Sequence, residues 1–337
     1  MNLRCGLRES RATLTRRRLL VGLTLAIGAF AALTRAEKTN SKMARVGIVT
    51  PFTADPGPED AYWRMLRQGL QERGWEEGKT IAFDYRHVGN FARLRSAVNE
   101  MIALEVDVML TAGAPAALAA KGATDRIPIV FWADDPVGRG IVASLVRPRG
   151  NATGIARQGP EMYAKRVELL RQLSAGVSRV AIIDNPVLAT PLALRQQRIP
   201  HGIDVFDVHI RGAEDLSSGF AMIAQRGAEA VLVGDTVTPW LLRTEILERL
   251  TRARLPAVFG DVPWLALGGL ITYGPNNLVL MRQVVIFIDK ILRGARPADL
   301  PVEQPMQFDL GINLMTAKAL GISVPRELLL RADRIVE

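Results

Sequence analysis

The side chains able to do chemistry in this 337-residue chain are few: three histidines, one cysteine and a scatter of acids at the ends of apolar runs. His87, His201 and His209 have no serine, cysteine or acid at a recognisable catalytic spacing, and there is no Gly-x-Ser-x-Gly elbow. His201 and His209 also lack the i, i+4 spacing and the carboxylate that would make a metal site. The adjacent acids Asp134 and Asp135 close an apolar strand and point in different directions. One of them is expected to face a cleft and accept a hydrogen bond from an ammonium or hydroxyl; the alternative for the pair is capping ahead of Gly138. Asn185 and Asp235 follow later strands and could face them from across a cleft, although turns favour the same residue types. Phe52, Trp132, Trp264 and Tyr273 fall near strand ends, where they could stack on a planar or apolar ligand. Trp63, spaced helically with Leu66 and Leu70, reads as core. Nothing here implies catalysis, a metal or a cofactor; the chemistry on offer is that of holding a molecule.

These side chains need an α/β scaffold, and the hydrophobic pattern supplies one. The turn Leu110–Pro115 (LTAGAP) is its focus. It ends the strand Val106–Thr111, whose unbroken apolar run indicates burial on both faces, and opens a helix at Pro115. Gly113 permits close backbone approach, and such strand-to-helix turns at the carboxyl edge of a parallel sheet are where ligands sit. Strands are expected at Arg45–Thr50, Ile81–Arg86, Val106–Thr111 and Ile129–Phe131. Helices are expected at Tyr62–Arg73, Phe91–Leu104, Pro115–Thr124 and about Gly140–Val146. This alternation predicts a parallel sheet with right-handed crossovers. Gly138–Ala143 (GRGIVA) matches a dinucleotide fingerprint in letters. It is separated from the strand by Asp134-Asp135-Pro136 and has no acid closing a following strand, so it reads as a loop.

Pro148–Gly154 (PRGNATG) reads as a crossing into a second α/β run. The strands there are Val180–Ile183, Val205–His209, Val231–Val233 and Ala257–Phe259. The helices are Glu161–Leu173, a short one between Pro191 and Arg198, Leu216–Arg226 and Pro239–Arg252. Gly268–Gly274 returns the chain to the first lobe, where Met281–Leu292 is a strongly apolar helix. The expected organisation is therefore an N-terminal lobe at 44–151 plus about 275–300 and a C-terminal lobe at 152–267. Crossings fall at 268–274 and 302–310, and C-terminal helices at 311–337. Two such lobes joined by several strands make a hinged binding protein.

The formal charge of +9 is concentrated at one end. Seven arginines against Glu9 give residues 1–36 a charge of +6, leaving +3 for the remainder, so the basic balance gives little support for nucleic-acid binding. Arg16-Arg17-Arg18, the apolar run Leu19–Leu33 and the small residues Thr34 and Ala36 read as an export signal cut after Ala36, with Ala31 the alternative site. Thr15–Leu20 (TRRRLL) resembles a twin-arginine signal, with Leu19 at its aromatic position. An uncleaved anchor is the competing reading, weakened by the shortness of the run. Cys5 precedes the apolar run, so the exported chain would contain neither disulfide nor thiol.

Several stretches resemble the ABC-transporter substrate-binding proteins related to the tryptophan and tyrosine binders. They are Gln68-Gly69-Leu70 with Glu72 and Gly74-Trp75, Val106–Lys121, Ile127–Ser144 with Asp135-Pro136-Val137-Gly138, Gly150–Gly154, Gly268–Asn276, and Arg296–Ala319. The resemblance runs from about Arg45 to Glu337. It implies a type I periplasmic-binding fold, with two Rossmann-like lobes, parallel sheets and a multi-strand hinge. It implies a monomeric periplasmic protein that closes on a small ligand, such as an aromatic or apolar amino acid, and delivers it to an inner-membrane permease. Carried over, Thr50, Phe52, Gly113, Ala114, Asp134 and Asp135 would form one wall of the site, and Asn185, Asp235 and Tyr273 the other. Two departures stand out: Arg149 where the family commonly has Gly, and an abbreviated helix between Pro191 and Pro200. The alternatives are a ligand-sensing subunit for a membrane receptor kinase and a periplasmic enzyme on a hinged scaffold. A repressor sharing the fold is excluded by the leader and by the lack of a helix-turn-helix before Arg45.

Overall fold

The computed structural model describes residues 43–51, 58–157, 161–174, 176–186, 199 and 201–337. Five strands form the first sheet: β1 (Ala44–Thr50), β2 (Ile81–His87), β3 (Val108–Ala112), β4 (Ile129–Ala133) and β5 (Ala152–Ala156). They lie side by side in the order β2-β1-β3-β4-β5, all parallel. Successive side chains leave opposite faces of a strand, and here both faces are covered. Val46, Ile48, Val108, Leu110, Val130 and Trp132 join one core. Val49, Met109, Ile129 and Phe131 join the other. This is why β3 and β4, buried along their whole length, appear in the sequence as largely apolar runs.

Helix α1 (Pro58–Gln71) covers the first of these faces with Trp63, Leu66 and Leu70. α2 (Leu94–Ala103) and α3 (Ala114–Ala123) cover the second. Each fully buried leucine contributes roughly 1.5–3 kcal/mol.

The second sheet holds β6 (Arg179–Asp184), β7 (Asp204–His209), β8 (Ala230–Val233), β9 (Ala257–Phe259), β10 (Ile271–Pro275), β11 (Phe308–Asn313) and β12 (Arg334–Val336). Its order is β12-β11-β10-β9-β8-β6-β7, parallel except where β10 meets β11. α4 (Glu161–Leu173), α5 (Leu216–Gln225), α6 (Val237–Leu241), α7 (Arg243–Ala253) and α8 (Pro263–Ala266) belong with this sheet. α9 (Asn277–Leu292) returns to the first sheet and packs Met281, Val284 and Ile288 beside α1. α10 (Leu314–Leu320) and α11 (Arg326–Arg331) place Ala317 and Leu328 in the second lobe's core.

The chain passes between the lobes three times: after β5, between β10 and α9, and through 293–307 into β11. Glu303 ties the last crossing to the first, accepting from Ala156 N at 2.9 Å and donating to Gly154 O at 3.0 Å.

The expected α/β architecture of two parallel sheets is present; several boundaries are not where the sequence pattern put them. Residues 152–156 are the edge strand of the first sheet, paired with β4, so the first crossing comes after Ala156 and not within Pro148–Gly154. Gly154 makes that pairing possible: its φ is +150°, and a Cβ there would collide with the Phe131 backbone. Residues 271–275 and 308–310 are strands of the second sheet, and the C-terminal segment adds a strand as well as helices. About Gly140–Val146 the chain runs in turns and bends, with Ile141 and Val142 buried against the first lobe. The helix expected over Pro239–Arg252 breaks at Leu242 into α6 and α7. The short helix expected between Pro191 and Arg198, like the leader, lies outside the described residues. No described helix is long and apolar enough to cross a membrane.

Candidate functional site

A cleft lies between the carboxyl edges of the two sheets and is lined by residues of both lobes. Four of its five charged residues stand one or two places beyond the end of a parallel strand, and the fifth, Arg139, lies on the turn that follows β4. Asp134 follows β4, Arg157 follows β5, Asp235 follows β8 and Asp261 follows β9. There the backbone turns away and leaves the side chain at the sheet edge. The ends of helices supply the remaining walls. Gly113, Ala114 and Pro115 open α3, Thr236 and Val237 open α6, Pro263 opens α8 and Asn277 opens α9. Gly113 adopts φ 85°, and a Cβ placed on it would stand 3.5 Å from Val237 Cγ2 of the opposite lobe, so the walls meet closely here.

The aromatic surface comes from Tyr62 and Trp63 of α1, Trp132 of β4 and Trp240 of α6. Tyr62 and Trp132 meet edge to face with centroids 5.3 Å apart. The Arg157 guanidinium lies over Trp132 at 5.4 Å.

Arg157 is the centre of the charge arrangement. Its Nε stands 3.4 Å from Asp134 Oδ1 and its Nη2 3.8 Å from Asp261 Oδ2, and neither nitrogen makes a hydrogen bond. Burial pushes the Asp134 carboxyl up to about 6; Arg157 opposes that rise and Asp235 and Asp261 add to it. The Asp134 side chain keeps 29% of its surface exposed and lines the cleft. Burial also raises Asp261, against the pull of Arg157. For Arg157 burial disfavours the cation, but Asp134 and Asp261 outweigh it and hold the guanidinium charged. Asp235 is held differently. Arg166 of α4, 0% exposed, donates Nη1 to its Oδ2 and Nε to the Tyr273 carbonyl at 2.8 Å.

Of the residues singled out from the sequence, Gly113, Ala114, Asp134, Asp235 and Trp132 line the cleft. Asp135 does not: at φ 44° it folds back, and its Oδ1 accepts from Gly138 N at 3.0 Å. Thr50 is wholly buried at the end of β1. Asn185 is buried beneath α6, donating Nδ2 to Thr238 Oγ1 at 2.9 Å. Tyr273 stacks on Phe308 and leaves only its carbonyl for Arg166. Trp264 is sealed against Phe259 and Trp240, and Trp240 faces the cleft in its place. Phe52 lies outside the described residues. Trp63 serves both the core and the cleft wall.

The sequence reading passed over Arg157, Asp261, Arg139, Tyr62, Trp240 and Asn277. The position just past a strand, which drew attention to Asp134 and Asp235, would also have found Arg157 and Asp261. None of the described lining residues is Ser, Cys or His, and no group of three or more His, Cys, Asp or Glu among the described residues could hold a metal. The arrangement can desolvate and hold a small molecule carrying charge and an aromatic group.

Two parallel-sheet lobes, joined by three crossings and facing one another over a polar-aromatic cleft, define a solute-binding protein of the type I periplasmic-binding fold. Residues 48–336 match the family described as ABC transporter substrate binding protein, and the chain belongs to that family. A tyrosine-binding protein of Clostridioides difficile is 22% identical over 293 residues, covering 85% of this chain and 84% of that protein. A conserved domain protein from Vibrio cholerae superposes with a TM-score of 0.81 at 27% identity, covering 87% of this chain and 100% of that one. The ABC domain from Streptococcus pneumonia crystallised with L-Trp superposes at 0.80 with 21% identity, covering 88% and 100%.

Proposed function

We propose that this protein captures an aromatic α-amino acid outside the cytoplasm and delivers it to the permease of an ABC importer. The observation that carries this reading is the cleft itself, where Asp134 and Arg157 bring opposite charges to a space walled by Tyr62, Trp63, Trp132 and Trp240. An ammonium would be received by Asp134, whose Oδ1 makes no hydrogen bond. A planar side chain would stack among the aromatics. The names of the tyrosine-binding and tryptophan-bound relatives support the same ligand class. Capture would proceed by closure of the two lobes about their three crossings, with the closed form presented to the permease. The basic leader followed by Leu19–Leu33 supports export, with cleavage after Ala36.

The test is thermal unfolding of the protein against a panel of amino acids, heterocycles and small carboxylates. A ligand at one hundred times its Kd adds about 2.7 kcal/mol. A selective rise with tryptophan, tyrosine or phenylalanine is the expected result; a selective rise with a non-aromatic member refutes the ligand class.

A further inference from the structure

Arg139 is a cleft cation that makes no ion pair among the described residues, although its charge acts on the Asp134 carboxyl from further off. It stands on the turn that follows β4. Asp135 builds that turn: its backbone takes φ 44°, its Oδ1 accepts from Gly138 N at 3.0 Å and its carbonyl accepts from Arg139 N at 3.1 Å. Gly140 N donates to Val137 O at 2.9 Å and Ile141 N to Pro136 O at 2.9 Å, completing a tightly wound loop. A Cβ on Gly138 would displace the Asp135 carboxyl, so glycine leaves room for that hydrogen bond. The loop carries the Arg139 side chain to the cleft wall. Its Nε is shielded from solvent and makes no hydrogen bond. Among the described residues no carboxylate is within ion-pair distance of it. A shielded guanidinium nitrogen without an acceptor is uncommon and asks for one.

The other cations of the cleft are committed. Arg166 serves Asp235. Arg157 stands between Asp134 and Asp261 with its face on Trp132. Asp134 comes from the first lobe and Asp261 from the second, so Arg157 spans the cleft as a clasp. A ligand carboxylate at Arg157 would have to compete with two carboxylates already facing it. At Arg139 it would meet a planar donor set with no carboxylate in ion-pair contact, Asp134 acting on it only from further off.

We infer that Arg139 receives the carboxylate of the bound amino acid, with Asp135 as the positioning residue that shapes its loop, while Arg157 holds the two lobes together. This rests on the amino-acid reading given above and divides its charges between named residues.

L-tryptophan and tryptamine, which differ only by the carboxylate, separate the possibilities in a calorimetric titration of the full chain. The unaltered protein should bind tryptophan more tightly by roughly ten- to a hundredfold, the usual effect of a charge-assisted hydrogen bond. Arg139→Gln should weaken tryptophan to near the level of tryptamine without weakening tryptamine, and the unfolding midpoint of the ligand-free variant reports the integrity of the fold. Arg139→Lys should recover part of the preference. Arg139→Gln weakening both ligands equally, or neither, overturns the assignment of Arg139 while leaving the amino-acid reading in place. If the unaltered protein binds neither compound, tyrosine with tyramine and phenylalanine with phenethylamine make the same comparison, and binding of none of them overturns both readings.

Discussion

Arg157 and Asp261 face one another across the cleft at 3.8 Å, one at the end of the first sheet's edge strand and the other beyond an inner strand of the second. No other cation is in ion-pair contact with Asp261 among the described residues, and Arg157 is its only link to Asp134. Beside the three crossings and the hydrogen bond from Asn277 Nδ2 to Asp261 Oδ1 at 2.6 Å, this guanidinium adds a charged link between the lobes.

Arg157→Gln should favour the open form. Without the cation, Asp134 and Asp261 would share a desolvated cleft as like charges. The lost charged contacts are worth about 1–3 kcal/mol to the closed state. Small-angle scattering should show a larger radius of gyration in the ligand-free variant, returning toward the original value with saturating ligand. An unchanged radius would remove the clasp role.

Asp134 makes two pH predictions of opposite sign. Its folded-state value of about 6 lies above the ordinary 3.8, so the folded protein holds the proton more tightly than the unfolded chain. Stability without ligand should therefore fall as pH rises from about 4 to 6 and then level off. Asp134→Asn should reduce that slope, leaving the part due to Asp261, whose carboxyl burial also raises, and should raise stability above pH 6 by on the order of 1–3 kcal/mol. Affinity for an ammonium-bearing ligand should instead fall as pH drops below 6, because protonation removes the acceptor charge. Denaturation midpoints and calorimetric titrations between pH 4.5 and 8 measure the two trends separately.

Arg166→Met should cost about 3–5 kcal/mol, because it strands the Asp235 carboxylate in the interior and removes the donor to the Tyr273 carbonyl. Adding Asp235→Asn should recover a large part of that loss. Urea denaturation of the single and double variants checks it; if the two losses simply add, the pair is not acting as a unit.

Trp240 and Trp264 touch at 5.5 Å yet should behave differently when truncated. Trp264 is 4% exposed and stacks on Phe259, so Trp264→Ala should destabilise by about 3–5 kcal/mol. Trp240 lines the cleft, so Trp240→Ala should chiefly weaken an aromatic ligand, by about 0.5–1.5 kcal/mol beyond the lost contact area. Denaturation and ligand titration on both variants discriminate the roles.

Much of the architecture is local in origin and so was legible in the chain. The apolar runs at β1, β3, β4 and β8 identified buried parallel strands, since both faces of each strand had to be covered. Gly113 with Pro115 marked the turn that opens α3, and the acids past β4 and β8 marked the sheet edge. Those signals placed Gly113, Ala114, Asp134 and Asp235 beside a cleft without any knowledge of what lay opposite.

What only the tertiary structure decided was direction and partnership. Asp134 and Asp135 are neighbours of the same type, but a left-handed backbone at Asp135 turns one carboxylate into its own loop and leaves the other in the cleft. Whether Trp240 or Trp264 faces the ligand space depends on the break between α6 and α7 at Leu242. The role of Arg157 arises only when Asp261, more than a hundred residues further on, is brought to its other side. Periodicity reports which residues a strand or helix buries. It carries no record of which charges separate elements will place together, because that follows from sheet order and from where the crossings run.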